Sequence, residues 1–268
     1  MDSENPITLR LTLLPDGPVG LDPERLTVTF FDGKLSPAHA RLLKGDRPAL
    51  LCALRESGQP SEWELELLSS LVSGRPFNPP DTAWIHLQIG SMGGIGTAAD
   101  AASALASEVG ASATVSKLAS DVTHELLANA LLAAPVDEAG VARYATRRDA
   151  SPEISAEDAC TFSLGTHAKR IYLVATDRFG RLTTGPVVRA VEGYGGKVQP
   201  DTSGGGAGLG TRLILEHCDA IAFRVIPGQS TEAVGVIELD GPRRRAGQPK
   251  SLFFFQSAID ARGGQRVR

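Results

Sequence analysis

Asp121-Val122-Thr123-His124-Glu125-Leu126-Leu127-Ala128-Asn129-Ala130 is the stretch on which the reading of this chain turns. Steps of four along a helix place Asp121, Glu125 and Asn129 in one polar stripe. Leu118, Val122, Leu126, Ala130 and Ala133 run beside it, with Leu127 and Leu131, as a packing surface. The spacing predicts a helix over Ala113–Ala134, which Pro135 terminates. An Asn inside such a helix has poor propensity and needs a reason. A carboxylate one turn earlier provides one: the Asn oxygen can ligate Mg2+ while the carboxylate orients or deprotonates an attacking hydroxyl or water. The exposed face of an ordinary amphipathic helix has the same pattern, so the stretch must be read with its surroundings.

Two further motifs follow it. In Val174-Ala175-Thr176-Asp177-Arg178-Phe179-Gly180-Arg181-Leu182 an apolar strand runs directly into an Asp, with a Gly three residues on. A carboxylate at a strand end can accept a hydrogen bond from an exocyclic amine such as adenine N6, and Gly lets backbone approach a flat base. A plain D-x-x-G turn is the common alternative. In Ser203-Gly204-Gly205-Gly206-Ala207-Gly208-Leu209-Gly210-Thr211, glycines open a helix whose apolar residues include Leu209, Leu213, Ile214 and Leu215. Successive glycines let backbone N–H groups converge on an anion, and a helix N-terminus adds its dipole. No Lys-Ser or Lys-Thr pair follows, which excludes a Walker A loop.

Outward from these motifs, apolar runs read as strands at Ile7–Leu14, Leu26–Phe31, Ala49–Leu54, Ala83–Ile89, Cys160–His167, Arg170–Thr176, Ala220–Ile226, Glu232–Leu239 and Leu252–Phe255. Helical spacing marks Trp63–Val72, stopped by Gly74, then Thr97–Val109 and about Leu209–His217. The prolines of Pro76-Phe77-Asn78-Pro79-Pro80 make a linker candidate. Residues 1–75 are therefore expected to form a small α/β unit of undetermined role, and residues 83–268 the main domain.

Apolar residues make up 42% of the chain and charged residues 22%, so a packed core is expected rather than disorder. A net charge of −4 with scattered Lys and Arg argues against a nucleic-acid surface. Cys52, Cys160 and Cys218 form no CxxC pair and read as buried thiols in a reducing compartment. No basic-then-apolar leader and no membrane-length apolar run is seen, which points to a cytoplasmic protein without membrane contact. Gly94-Ile95-Gly96-Thr97-Ala98-Ala99 is a GxGxxA string, but the Rossmann pattern needs a strand ending in an acid about twenty residues later. Asp121 at that spacing lies in a helical segment. His39, His86, His124, His167 and His217 show no metal-ligand spacing.

In order and spacing, the three motifs resemble the N box, G1 box and G2 box of the GHKL superfamily. That superfamily includes histidine kinases, gyrase-type ATPases and serine kinases acting as anti-sigma factors. Thr231, before the last sheet strand, also matches, and Glu125–Asp137 and Thr231–Gly241 look similar to segments of stand-alone anti-sigma-like regulatory ATPases. With the element order, this implies a two-layer α/β sandwich of the Bergerat type, a mixed, mostly antiparallel sheet with helices on one face.

The resemblance implies ATP and Mg2+ as cofactors. Glu125 would be the catalytic carboxylate and Asn129 the metal ligand. Asp177 would bind the adenine amine, supported by Thr231, with Gly180 beneath the base. Gly204, Gly205, Gly206, Gly208, Leu209 and Gly210 would close over the phosphates, in a lid reaching back to about Arg181. It further implies Ser/Thr phosphorylation of a small protein partner, an anti-sigma antagonist or sigma-like regulator, and leaves a homodimer open. The alternative is a non-catalytic module whose nucleotide state opens or closes a partner surface. Phe179 and Leu182 stand where kinase versions often have a glycine-richer turn, and the region from Pro135 to Cys160 is an insertion relative to the shortest members.

Overall fold

The computed structural model describes residues 7–10, 27–45, 48–79, 81–144, 153–194, 207–240, 247–259 and 265–267; at 7–10, 207–209, 258–259 and 265–267 it describes the backbone alone. Ten strands form one sheet: β1 (Ile7–Arg10), β2 (Thr27–Phe31), β3 (Ala49–Ala53), β4 (Ala83–Ile89), β5 (Cys160–His167), β6 (Arg170–Asp177), β7 (Ala220–Ile226), β8 (Ser230–Glu238), β9 (Ser251–Ile259) and β10 (Gln265–Val267). Their order is β1-β2-β3-β9-β7-β8-β6-β5-β4, with β10 beside β9. Only β2–β3 and β7–β9 are parallel; every other pair is antiparallel. The mixed, mostly antiparallel sheet is the expected class of fold.

Six helices accompany it among the described residues: α1 (Ala40–Leu43), α2 (Glu62–Ser73), α3 (Met92–Glu108), α4 (Ala113–Ala128), α5 (Thr184–Glu192) and α6 (Ala207–His217). Alternation along the strands gives the sheet two apolar faces. Ile171, Leu173 and Ala175 of β6 face a core shared with Ile95, Val122, Leu126, Val191 and Ile214 from the long helices. Tyr172 and Val174 face the other way, toward Trp63, Leu67, Leu68 and Leu71 of α2. The helices thus fall on one face as expected except α2, which covers part of the second.

Two details depart from the sequence reading. Helix α3 starts at Met92, with the Ser91 hydroxyl accepting from Gly94 N–H at 3.1 Å, so Gly94 and Gly96 lie inside its first turns. The helix read over Thr97–Val109 therefore begins five residues earlier. Helix α5, in a segment assigned to the lid, was not anticipated. Its signal was present: Val187, Val188, Ala190 and Val191 repeat at helical spacing and are buried.

The N-terminal third is joined to the same sheet, although the prolines at 76–80 do separate α2 from β4. Strand β3 pairs with β9 in the register Ala49↔Phe254, Leu50↔Phe253 and Leu51↔Leu252. A buried ionic cluster reinforces this seam. Glu64, with no solvent exposure, receives Arg55 Nη2 at 2.6 Å and Nε at 3.0 Å. It also accepts from the Ser251 hydroxyl, while Ser251 Oγ takes Ala53 N–H at 2.8 Å. Arg55 Nη1 reaches Pro249 O at 2.9 Å. Removing one partner of a buried pair leaves its charge uncompensated. Glu64→Ala should therefore lower the unfolding free energy by about 3–5 kcal/mol, read as a shifted urea midpoint. A change below the few tenths typical of surface substitutions would show that this cluster does not hold the seam.

Candidate functional site

Across the helix-facing side of the sheet, one transverse row of paired residues reads Ala49, Phe254, Phe223, Ala233, Ala175, Phe162, Leu87. Two alanines stand between two phenylalanines, which leaves a notch. Two residues further along the same strands, and so on the same face, Asp177 pairs with Thr231. The next pairs on the other side are Leu173↔Gly235 and Ile171↔Ile237. A Cβ on Gly235 would lie 3.2 Å from Val122 Cγ1, so α4 rests closely on the sheet there. The helix layer is tight at Gly235, while the small residues beyond it leave room.

A cavity fills this room. Its floor is Ala175, Ala233 and Phe223, and its polar end is Asp177 and Thr231. The roof is Leu126, Asn129, Ala130, Ala133 and Ala134. Arg181, Leu182, Thr183 and Pro186, from the connection into α5 and its first turn, close one side, and Thr211 of α6 contributes as well. The roof is not regular α-helix: Asn129–Ala133 wind as a π-helix, with Ala134 N–H donating to Asn129 O at 3.0 Å. Such one-turn departures recur at functional sites because they re-aim side chains.

Asp177 is 6% exposed. Burial raises its carboxyl above the ordinary range; the Phe179 and Gly180 N–H groups, donating to Oδ1 at 2.8 and 3.1 Å, pull it back, as does Thr231. Thr231, 5% exposed, lies close enough to help hold that charge, yet its hydroxyl forms no hydrogen bond of acceptable geometry to any described group. A buried hydroxyl without a partner beside a buried carboxylate is an incomplete polar site.

The other expected residues divide. Asn129 lines the cavity, and its side chain makes no hydrogen bond with the described residues. Glu125, one turn earlier, is not among the lining residues. Its Oε2 lies 2.1 Å from where a Cβ on Gly210 would stand, so the carboxylate rests on the first turn of α6. The first and third motifs meet at that point. Gly208 and Leu209 lie in α6, while Gly204, Gly205 and Gly206 fall outside the described residues. Among the described residues no group of three His, Cys, Asp or Glu could hold a metal.

Gly180 is not among the residues lining the cavity. It has φ +59°, and a Cβ there would come 2.0 Å from Ile226 O and 2.9 Å from Gly228 N. The glycine lets the chain after β6 pass under the β7–β8 turn, and this fixes where Asp177 and Arg181 emerge. Thr211, Thr183 and Arg181 line the cavity without having been singled out for a role. Thr211 ends the third motif and Arg181 the second, so proximity to the boxes was the available signal.

No protein family matches the chain, and no curated protein matches it in sequence. Among the described residues no helix is long and apolar enough to cross a membrane.

Gly180→Ala joins a left-handed backbone to a main-chain clash, so it should destabilise by roughly 2–4 kcal/mol. Thermal unfolding reads this, and a melting point equal to wild type would remove Gly180 from its structural role.

Proposed function

We propose that the cavity binds an adenine nucleotide and that the chain is an ATP-dependent serine/threonine kinase of anti-sigma-like type acting on a small protein partner. The observation that carries this reading is the convergence of residues from all three motifs, and of Thr231, on one cavity. The fit of the base rests on the notch between the phenylalanines, a carboxylate acceptor and an unpartnered hydroxyl at its polar end. Asn129 offers a free carboxamide oxygen for Mg2+, whose remaining ligands would be phosphate oxygens and water, as this cation prefers. Bound Mg2+–ATP would supply the phosphoryl group. Asp177 and Thr231 would orient the base, Asn129 the metal, and Glu125 would take the proton of the attacking hydroxyl. A cytoplasmic setting belongs to the same reading, supported by three buried free thiols.

One observation favours the non-catalytic, nucleotide-gated module: the Glu125 carboxylate lies on Gly210 rather than in the cavity. Glu125→Ala separates the two readings. General-base assistance is typically worth about 10²–10⁴ in rate, so a kinase loses nearly all transfer while ATP binding persists. Single-turnover transfer from labelled ATP to a purified cognate partner measures it. Undiminished transfer in the variant would refute the role of Glu125, and no transfer by wild type would favour the binding module.

Asp177→Asn tests the base contact. Loss of a charged hydrogen bond should weaken ATP by about ten- to a hundredfold in calorimetry. The sign on stability is opposite. Because burial raises the folded-state pKa of Asp177, the ionised form opposes folding once pH climbs above the ordinary carboxylate range. The variant should match or exceed the wild-type melting point at neutral pH, and that advantage should fade as pH falls through the raised pKa. Unchanged ATP affinity would remove Asp177 from the site.

A further inference from the structure

Strand β4 ends the sheet: β5 pairs with one of its edges, and no described strand pairs with the other. Its seven residues, Ala83-Trp84-Ile85-His86-Leu87-Gln88-Ile89, include no Asp, Glu, Lys, Arg or Pro. The register with β5 runs without a bulge from Ala83↔Thr166 to Ile89↔Cys160. Ala83, Ile85, His86 and Gln88 are exposed, so the described chain leaves the strand open along most of its length. Ile85 is 44% exposed, unusual for so large an apolar side chain in this molecule. Free edge strands ordinarily carry a protecting device, whether shortness, charge, proline or a bulge, because their unpaired N–H and C=O groups template pairing with another chain. The opposite end of the sheet follows that rule: β1 has four residues and includes Arg10. Strand β4 has none of these devices.

The residues of the strand select what pairs with it. Alternation puts Ala83, Ile85, Leu87 and Ile89 on the helix-facing side, where Leu87 and Ile89 join the main core. Trp84, His86 and Gln88 face the other way, Trp84 packing on the α2-side core. His86 stacks on Trp84, ring centroids 6.3 Å apart, and its Nδ1 lies 2.8 Å from Ser163 Oγ. Directly opposed residues of antiparallel strands share a face. A second copy laid antiparallel about a twofold axis at His86 therefore opposes Ile85 to the partner's Leu87 on the helix side. On the other side it opposes Trp84 to the partner's Gln88 and His86 to the partner's His86. All seven residues are paired, Ile85 is covered, and no carboxylate or ammonium meets its like. Twofold registers centred elsewhere leave residues of the strand unpaired. Helix α3 packs above β4 and β5, outside α4. Its exposed residues include Gly93, Gly96, Thr97 and Ala104, small enough to leave room for a second copy alongside. An unrelated extended segment satisfies the main chain equally; the self-matching faces favour the second copy.

We infer that β4 pairs with β4 of a second copy of this chain, antiparallel about a twofold axis at His86, so that two sheets join into one. The axis is normal to the sheet, which puts both helix layers and both cavities on the same face of it. This assembly is independent of what the cavity binds.

The test is sedimentation equilibrium of the full chain for wild type, His86→Glu, His86→Lys and an equimolar mixture of the two variants. Wild type is expected to dimerise. Each variant alone opposes like charges across the axis and should dimerise more weakly than wild type. In the mixture Glu meets Lys, and the mixed dimer should be about tenfold tighter than either variant's own, an advantage that added salt reduces. His86 is exposed, and the mixed and unmixed samples contain the same two proteins, so a change in stability would not imitate this preference. Wild type that stays monomeric at its highest soluble concentration would overturn the proposal. So would a dimer whose affinity neither charge alters and whose variants mix without preference, since it forms through another surface.

Discussion

The register between β6 and β8 is the constraint on which the cavity depends. Their helix-facing pairs taper from Ile171↔Ile237 through Leu173↔Gly235 and Ala175↔Ala233 to Asp177↔Thr231. Side-chain volume shrinks as far as the alanine pair, and polarity appears at the pair beyond it. Helix α4 lies close where Gly235 permits it, and a void opens where the alanines follow. A slip of one residue would turn Asp177 toward the α2 face and put Thr176 in its place. The bulky pairs at the other end of the ladder, buried in the main core, resist such a slip. The hydrophobic pattern that folds the sheet therefore also places the carboxylate.

Much of this was legible in the chain, for identifiable reasons. Strands β5 and β6 and helix α4 have periodicity strong enough to be read directly, and a strand running into Asp177 fixes that carboxylate at a strand end. The mixed sheet followed from hairpins interleaved with helices. What local pattern could not supply was pairing across long sequence separations. Nothing near Ala49 indicates that its neighbour is Phe254, so the linker candidate at 76–80 marked a connection but not where the sheet continues. The second layer contributed by α2 was hidden for the same reason.

Gly180 shows how a correct signal can carry an incomplete reason. A glycine three residues after a strand-ending Asp reads equally well as room for a ligand or room for backbone, because both need a missing Cβ. The structure selects backbone: Ile226 O occupies the space. The residue still serves the cavity, since passing under the β7–β8 turn sets the direction of the chain from Asp177 to Arg181. Burial of Asp177 has a comparable double character. Removal from water raises its pKa and opposes folding, while the same desolvation strengthens any hydrogen bond it makes to a ligand. A site that is slightly costly when empty is one in which a partner group has more to gain.

The seam at β3 and β9 extends this logic to the N-terminal third. Glu64 and Arg55 hold β9 through Ser251 and Pro249, and β9 pairs in parallel with β7. Through that pairing Phe254 lies against Phe223, ring centroids 6.1 Å apart, and Phe223 is one wall of the alanine notch. Strand β7 then ends in the turn that encloses Gly180. Each step is a backbone ladder or a packed ring, so the floor of the cavity and the position of Asp177 are both referred to β9. A close-packed sheet does not take up a displaced strand locally. The N-terminal unit is therefore part of what shapes the cavity, although none of its described residues lines it. A substitution at the Glu64 cluster can be expected to loosen the wall at Phe223 before it disturbs α4, which is anchored separately through Gly235.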